Sequence, residues 1–222
     1  PFRYSEVGLD HARSVHPLSL NLLSQIVTFI SGKDFRIHNP FLWSTKGEMC
    51  LILDDMDVTD IAWETVSCDR RYRSDVPQCG RCSSCLLRRQ SFLASNTEDR
   101  TSYRINIDSD SNLDRLLSNS QLPHMMLQAK MLHQVTRRKD AWNVLAHKYP
   151  TRLADIAYRL STGHDDYREA IINQIVSLFH SYANEWYLPS VSRVFKSEYD
   201  DILLSMKRIK QEKRASHEGV PQ

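Results

Sequence analysis

Apolar residues recur every three or four positions along most of this chain, which is the spacing typical of amphipathic helices. The first such pattern predicts a helix from Pro17 to about Ile30, and Gly32 is suited to end it because glycine accepts the left-handed conformation. The apolar residues of this helix are Leu18, Leu22, Leu23, Ile26, Val27 and Ile30, which fall on one face at helical spacing.

Two further helices are predicted in the first half of the chain. Thr45 and Glu48 have the spacing of a capping box, in which each side chain accepts a hydrogen bond from the other residue's backbone, so a helix should run from there to about Asp54. The next helix is expected from Cys85 to about Ala94.

One short stretch alternates between apolar and polar residues instead. Residues 35–38, Phe-Arg-Ile-His, follow the period of two that is typical of strands, and Asn39 and Pro40 end the stretch. The fold class predicted from these patterns is therefore mostly α with a short β element.

The second half of the chain has almost no strand signal and predicts successive helices. The clearest are at about 123–147, 151–160 and 165–187. In the third helix a stripe of seven apolar residues is expected to form core: Ile171, Ile172, Ile175, Val176, Phe179, Tyr182 and Trp186. We divide the chain into a first part of residues 1–95, a linker or loop of 96–112, a helical extension of 113–205 and a polar, basic tail of 206–222.

Composition narrows the class of protein without deciding it. The 222 residues carry 29 Lys+Arg against 27 Asp+Glu, a formal net charge of +2. Without a sustained basic stripe, a nucleic-acid partner is not expected. The longest apolar runs are far shorter than a membrane span, so we expect a soluble, cytoplasmic protein with no membrane partner. Because the chain starts at Pro1, we interpret it as a fragment or a processed piece.

The strongest chemical signal is a group of four cysteines in the pattern C-x10-C-x2-C-x2-C: Cys68, Cys79, Cys82 and Cys85. Two-residue gaps let a tight turn aim two thiolates at one ion, and Zn²⁺ prefers four such ligands in a tetrahedron. Two disulfides are the alternative. A closed four-cysteine zinc site would be structural, because no position is left for water. The fifth cysteine, Cys50, stands alone and is expected to be buried.

Four motifs occur in a specific order around these cysteines. They are Asn39-Pro40-Phe41-Leu42-Trp43, Thr45-Lys46-Gly47-Glu48, Glu64-Thr65-Val66-Ser67-Cys68 and Cys79-Gly80-Arg81-Cys82-Ser83-Ser84-Cys85-Leu86-Leu87-Arg88. In this order and spacing, the stretch from residue 35 to residue 94 resembles the C-terminal part of QueC, the 7-cyano-7-deazaguanine synthase family.

The resemblance implies a fold and an activity. Members of that family have an α/β domain of the PP-loop type, resembling adenine-nucleotide hydrolases, with a structural zinc site beside the active site. With ATP and Mg²⁺ they activate the carboxylate of a deazaguanine, then use ammonia to make an amide and finally a nitrile. Members bind ATP phosphates with a Ser-Gly-Gly-x-Asp-Ser loop, in which backbone N–H groups cradle the phosphates.

Two departures from the family stand out. The sequence contains no Ser-Gly-Gly-x-Asp-Ser, so ATP and Mg²⁺ are expected only where an N-terminal half is present. The helical extension is absent from the compact biosynthetic enzymes, which favours the branch of longer QueC-like proteins that occur in bacterial antiphage operons over housekeeping queuosine biosynthesis.

The resemblance also indicates candidate site residues. Lys46 is the candidate catalytic residue, which would reach a phosphate or the adenylated intermediate; alternatively it is an exposed lysine in the first helical turn. Glu64 and Thr65 are candidates for the deazapurine pocket, with helix capping or support of the cysteines as the alternative. Asp10 and Arg13 are candidates for reading the base.

Three functions remain open at this point. The chain is the zinc-bearing portion of a QueC-like, ATP-dependent C–N ligase acting on a deazapurine-type small molecule. Alternatively it is a non-enzymatic, zinc-stabilised module whose helical extension binds a partner protein in a defence complex. A zinc-ribbon-like nucleic-acid binder is the third.

Overall fold

The computed structural model describes residues 15–68, 78–107, 121–149, 153–161 and 165–195. The helices in these ranges are α1 (Pro17–Ser31), α2 (Lys46–Asp55), α3 (Thr59–Glu64), α4 (Ser83–Ala94), α5 (Leu122–Val135), α6 (Ala141–Lys148), α7 (Leu153–Leu160), α8 (Asp165–Glu185) and α9 (Pro189–Phe195). The prediction of a mostly helical protein is confirmed.

Helix α1 has the predicted ends because its terminal residues satisfy the free backbone groups. At the N-terminus, Nδ1 of His16 accepts a hydrogen bond from the N–H of Leu18 at 3.3 Å. At the C-terminus, Gly32 adopts the left-handed conformation with φ of 67°, and its N–H donates to the carbonyl of Thr28 at 2.9 Å. His16 is thus an N-cap, a common use of a polar side chain at this position.

The prediction of a strand at residues 35–38 is wrong. The stretch is extended, but in the part of the chain that the structure describes it pairs with no other strand. Side-chain hydroxyls of α1 take the place of a neighbouring strand: Phe35 N–H donates to Oγ1 of Thr28, and Ile37 N–H donates to Oγ of Ser24, both at 2.9 Å. Alternation alone could not predict whether a pairing strand is available.

The single helix predicted at 123–147 is two helices, α5 and α6. Oγ1 of Thr136 donates to the carbonyl of Leu132 at 2.8 Å, which ties the hydroxyl to the last turn of α5. Just beyond it, the guanidinium of Arg138 binds the carboxylate of Asp140, with Nε and Oδ1 at 2.8 Å. The polar residues 136–140 offer nothing apolar to bury, so the chain turns there.

The two remaining predicted helices correspond to α7 and α8, whereas α9 was not predicted. The expected core stripe of α8 is confirmed, since Ile175 and Trp186 are buried and the other five residues pack against buried neighbours. None of the helices in the described ranges has both the length and the apolar composition that crossing a bilayer requires.

Two apolar clusters hold the helices together. The first joins α4 to α5, α8 and α9; its buried residues are Leu86, Leu122, Met125, Met126, Ala129, Trp186, Val191 and Phe195. The second lies among α5, α6, α7 and α8, and both Leu18 of α1 and Trp43 pack against it. Because both clusters include side chains from before and after residue 112, the helical extension shares its core with the first part of the chain. The predicted domain boundaries stay a prediction.

Helix α1 lies at the edge of this core. None of its residues is buried. Its apolar residues Leu22, Leu23, Ile26, Phe29 and Ile30 are exposed, and Phe29 is 90% exposed. A stripe of large aliphatic and aromatic side chains on one helix face normally packs against another element. In the part of the chain that the structure describes, this stripe stays exposed instead.

Two phenylalanines test this distinction between core and surface. Phe92 of α4 is 2% exposed, whereas Phe29 of α1 is 90% exposed. Phe92→Ala should lower the free energy of unfolding by about 3–5 kcal/mol, because it leaves a cavity. Phe29→Ala should change it by less than about 0.5 kcal/mol. Urea unfolding followed by circular dichroism measures both, and equal effects would contradict the assigned core.

Candidate metal centre

The four cysteines of the sequence motif come together in the structure. Their sulfur atoms all lie within 4.8 Å of one another, and Sγ of Cys79 is 3.9 Å from Sγ of Cys85. Thiolates bound to one zinc ion at about 2.3 Å in a tetrahedron would be about 3.8 Å apart. A disulfide would need about 2.05 Å, and the structure joins no two cysteines in this way. The group could therefore hold a metal ion.

Local backbone structure explains how the spacing works. Cys79 and Cys82 stand on either side of a tight turn, Cys82 is the N-cap of α4, and Cys85 lies in the first turn of that helix. Gly80 sits in the turn with φ of 78°, and a Cβ there would lie 2.4 Å from the carbonyl oxygen of Ile105. Glycine is thus required both by conformation and by space.

Hydrogen bonds from backbone N–H groups stabilise the cluster and the segment beside it. The N–H of Cys79 donates to Sγ of Cys68 at 3.3 Å, a contact that stabilises a thiolate. Gln78, which is buried, forms an isolated β-bridge with Tyr103, in which Arg104 N–H donates to its carbonyl at 2.9 Å. Residues 103–105 therefore lie against the cluster.

The pKa values of the Cys79 and Cys85 thiols are shifted in opposite directions. Hydrogen bonds from Cys82 and Cys85 hold the pKa of the Cys79 thiol far below its usual range. Hydrogen bonds with Cys79 and Cys82, together with burial, raise the pKa of Cys85. Negative charges at this distance repel one another, so ionisation of one of these two thiols disfavours ionisation of the other. A divalent cation would remove that repulsion and allow all four to ionise.

Arg88 of α4 links the cluster to the segment before it. Its guanidinium is buried and donates to the carbonyl of Ala62, to Oγ1 of Thr65 at 2.8 Å, to Oγ of Ser67 at 3.3 Å and to Oγ1 of Thr101 at 2.9 Å. The hydroxyl of Thr65 also donates to the carbonyl of Ala62 at 2.8 Å. The structure therefore uses Thr65 to hold Arg88, and its role in substrate binding stays a prediction.

Arg89 lies on the other side of the cluster. Its guanidinium is 3.6 Å from the centre of the Tyr103 ring, and it donates to the carbonyl of Ile105. Burial raises the pKa of Tyr103, whose hydroxyl donates to Asp99 at 2.7 Å. Four thiolates around a divalent ion would leave a net charge of about −2. Arg89 stacks on Tyr103, which packs against the cysteines, so its cation lies in the layer of residues around the cluster.

Helix α2 carries the candidate Lys46 in its first turn. The predicted capping box is present: Thr45 N–H donates to Oε2 of Glu48 at 2.8 Å, and Glu48 N–H donates to Oγ1 of Thr45 at 3.0 Å. Glu48 is thus used as a cap. Lys46 is exposed, with Nζ 3.7 Å from the sulfur of Met49.

The other candidate residues lie at the end of α3 or outside the described residues. Glu64 is exposed at the end of α3, and Asp10 and Arg13 lie outside the described residues. Nε1 of Trp63 donates to the carbonyl of Glu98 at 2.8 Å, and the half-buried Trp43 packs against the second apolar cluster. The structure brings the four cysteines together, and the roles of Lys46, Glu64 and Thr65 in a substrate site stay predictions.

Sequence reasoning missed one buried acid, Glu185 in the last turn of α8. Its carboxylate accepts hydrogen bonds from Oγ1 of Thr45 and, at 2.9 Å, from Nε2 of Gln90. Burial raises the pKa of Glu185, while the two donors lower it. A charged residue directly before Trp186, within an apolar stripe, is the signal that could have identified it.

Comparison with known proteins finds similarity in the first part of the chain. Residues 16–96 match the family model described as Queuosine biosynthesis protein QueC. The chain is similar to the 7-cyano-7-deazaguanine synthase of Thiobacillus denitrificans, with 40% identity over 76 residues, 33% of this chain and 32% of that protein. It is also similar to the 7-cyano-7-deazaguanine synthase of Phocaeicola vulgatus, with 36% identity over 84 residues, 37% of this chain and 35% of that protein.

The extent of these matches is limited. The chain spans about a third of the length of the curated relatives that it matches. No solved structure matches it significantly. The matched residues 16–96 include the four cysteines and Lys46, whereas helices α5 to α9 lie outside them.

Two glycines test how tightly the cysteine turn is built. Gly32 and Gly80 both have positive φ, but a Cβ at Gly32 would meet nothing within 4 Å. Gly32→Ala should therefore lower the free energy of unfolding by only about 1–2 kcal/mol. Gly80→Ala should cost about 1–3 kcal/mol more, because its Cβ would strike Ile105. Urea unfolding of both variants measures the difference, and equal losses would contradict it.

Proposed function

Because residues 16–96 match the family model of QueC, we propose that this chain is the zinc-bearing portion of a QueC-type, ATP-dependent enzyme. The complete enzyme activates the carboxylate of a deazaguanine with ATP and Mg²⁺ and converts it with ammonia to an amide and then to a nitrile. The observation that carries the proposal is the family match over the segment that holds all four cysteines.

The metal that we propose for the cysteine cluster is zinc. The donor set is four sulfurs, which select zinc or iron, and the spacing of Cys79 and Cys85 fits a tetrahedral zinc thiolate. With four protein ligands no position remains for substrate or water. Zinc therefore has a structural role in this proposal, and it holds the start of α4 against residues 65–68.

We assign the binding of ATP and Mg²⁺ to the part of a QueC-type protein that this chain does not span. The apolar surface left open in the matched segment supports this assignment. Besides the stripe on α1, the exposed side chains there include Phe35, Phe41, Leu51, Ile52, Met56 and Ile61. A segment that makes up about a third of its relatives would expose such side chains where the remaining two thirds pack.

The helical extension offers less surface of this kind. Its exposed large apolar residues within the described ranges are Tyr158, Tyr167, Tyr187 and Leu188. Three of these four carry a hydroxyl that water can solvate. The distribution favours an enzyme portion over an interaction module that docks through the extension.

Lys46 is the residue that we propose to contact a phosphate or the adenylated intermediate. It is exposed on the first turn of α2, whereas Thr45 and Glu48 beside it are bound in the capping box. The proposed deazapurine site is completed by Glu64, Thr65, Asp10 and Arg13. The extension, which the family model does not match, favours a role in antiphage defence over housekeeping queuosine biosynthesis.

The zinc assignment predicts the metal content of the purified chain. We expect one zinc ion per molecule by mass spectrometry of the metals. Cys82→Ser should abolish zinc binding and unfold the segment around residues 64–90, since a structural zinc contributes on the order of 10 kcal/mol. Cys50→Ser, the matched control outside the cluster, should retain the metal. Iron in place of zinc, or loss of zinc from both variants, would contradict the assignment.

The activity is tested with the native gene product, whose intact mass shows whether the ATP-binding part lies in the same polypeptide. The enzyme, with that part present, should release AMP from ATP when supplied with the deazaguanine carboxylate and ammonium. Lys46→Ala should slow AMP release by about 100-fold or more, since it removes a cation from the developing phosphate charge. Lys33→Ala, at an exposed lysine beyond α1, should leave the rate unchanged.

The outcomes separate the alternatives. A zinc-loaded protein that releases no AMP, with its ATP-binding part present, would favour the non-enzymatic interaction module. An active enzyme that is insensitive to Lys46→Ala would retain the proposed function and remove Lys46 from the site.

A further inference from the structure

A buried carboxylate from the helical extension reaches the helix that carries Lys46. Glu185 lies in the last turn of α8, outside the matched residues, and is only 9% exposed. One oxygen accepts from the hydroxyl of Thr45, the N-cap of α2, and the other accepts from Nε2 of Gln90 on α4 at 2.9 Å. Three helices that are far apart in sequence thus meet at one side chain.

Gly47 of α2 makes room for this carboxylate. It is buried, and its backbone is not among the positive-φ glycines of the described residues, so conformation does not require glycine there. Alanine would favour the helix more than glycine does. A Cβ on Gly47, however, would lie 2.6 Å from Oε1 and 2.9 Å from Cδ of Glu185. The glycine is therefore explained by the space that the carboxylate occupies.

The contact fixes the cap of α2 in a specific orientation. The Thr45 hydroxyl has a single hydrogen, which it donates to Glu185, so its lone pairs face the N–H of Glu48 that it accepts at 3.0 Å. A negative charge near the first turn also matches the positive end of the helix dipole. An apolar side chain could fill the same volume but could not orient the hydroxyl.

We propose that Glu185 is a positioning residue that makes the helical extension part of the candidate site. It holds the first turn of α2, and Lys46 with it, through Thr45 and the close approach to Gly47. The proposal depends on the proposed function only where Lys46 is given a phosphate to contact. Removal of the extension would thus disturb the site even though the extension lies outside the family match.

A double-mutant cycle tests the contact without any activity assay. Gly47→Ala alone should lower the thermal unfolding midpoint, because its Cβ collides with Glu185. In the Glu185→Ala background the same change should raise the midpoint, since the obstacle is gone and alanine favours the helix. Glu185→Gln keeps the obstacle and should not rescue Gly47→Ala. Glu169→Ala, an exposed acid of α8, is the matched control and should not rescue it either.

Local hydrogen exchange provides a readout that a general loss of stability would not reproduce. The backbone N–H of Glu48 donates to the hydroxyl of Thr45, and the N–H of Met49 donates to the carbonyl of Thr45. Glu185→Ala should raise their exchange rates at least tenfold relative to the middle of α8, residues 171–180. Glu185→Gln, which retains an acceptor, should leave most of their protection. Additive effects in the cycle, or equal acceleration in both helices, would overturn the proposal.

Activity of the enzyme with its ATP-binding part supplies an independent outcome. Glu185→Ala should slow AMP release, but it should have no further effect once Lys46→Ala is present, because it acts through Lys46. A further loss in the double variant would contradict positioning of Lys46. An inactive wild-type enzyme would count against the proposed function alone, since the cycle and the exchange measurements decide the Glu185 contact by themselves.

Discussion

The burial of α4 on all of its sides is the constraint on which the rest of the structure depends. In one dozen residues this helix carries a cysteine of the metal cluster, two buried arginines, an apolar contact to the helical extension and a buried amide. Successive side chains point in directions 100° apart, so each must meet a partner of its own kind. Cys85 meets sulfur, Arg88 meets oxygens, Leu86 meets apolar side chains and Gln90 meets a carboxylate.

Arg88 ties the segment before the cysteine cluster to α4. A buried guanidinium is unfavourable unless its donors are satisfied. Arg88 satisfies them with neutral oxygens of residues 62–67 and of Thr101. Metal binding, the packing of α4 and the path of the preceding segment are therefore parts of one arrangement.

The helical extension covers part of the segment that matches the family model. Trp186, Val191 and Phe195 pack on the same cluster as Leu86, so α4 is covered by residues that the family match does not include. Glu185 adds a polar contact at the edge of that interface. By contrast, the stripe on α1 stays open. Two sides of the matched segment thus differ: one is covered by other residues of this chain, and the other is exposed in the part of the chain that the structure describes.

Features that depend on neighbours in sequence were predictable from the sequence itself. The capping box at Thr45 and the glycine that ends α1 arise within a few residues, the metal-type spacing of the cysteines arises within one short segment, and the structure has all three. Backbone hydrogen bonds and ligand geometry act over that range, so a local pattern contains the information.

Tertiary structure alone decided what depends on distant partners. Residues 35–38 alternate like a strand, yet a strand needs a neighbour to accept its hydrogen bonds, and within the described residues hydroxyls of α1 accept them instead. The contact between Thr45 and Glu185 joins residues that are 140 positions apart. The sequence by itself therefore determined most of the helices, the C-cap of α1, the N-cap of α2 and the metal-type cluster, because these form from nearby residues. Which faces are buried, and which acid reaches α2, was decided only when the whole chain packed around α4.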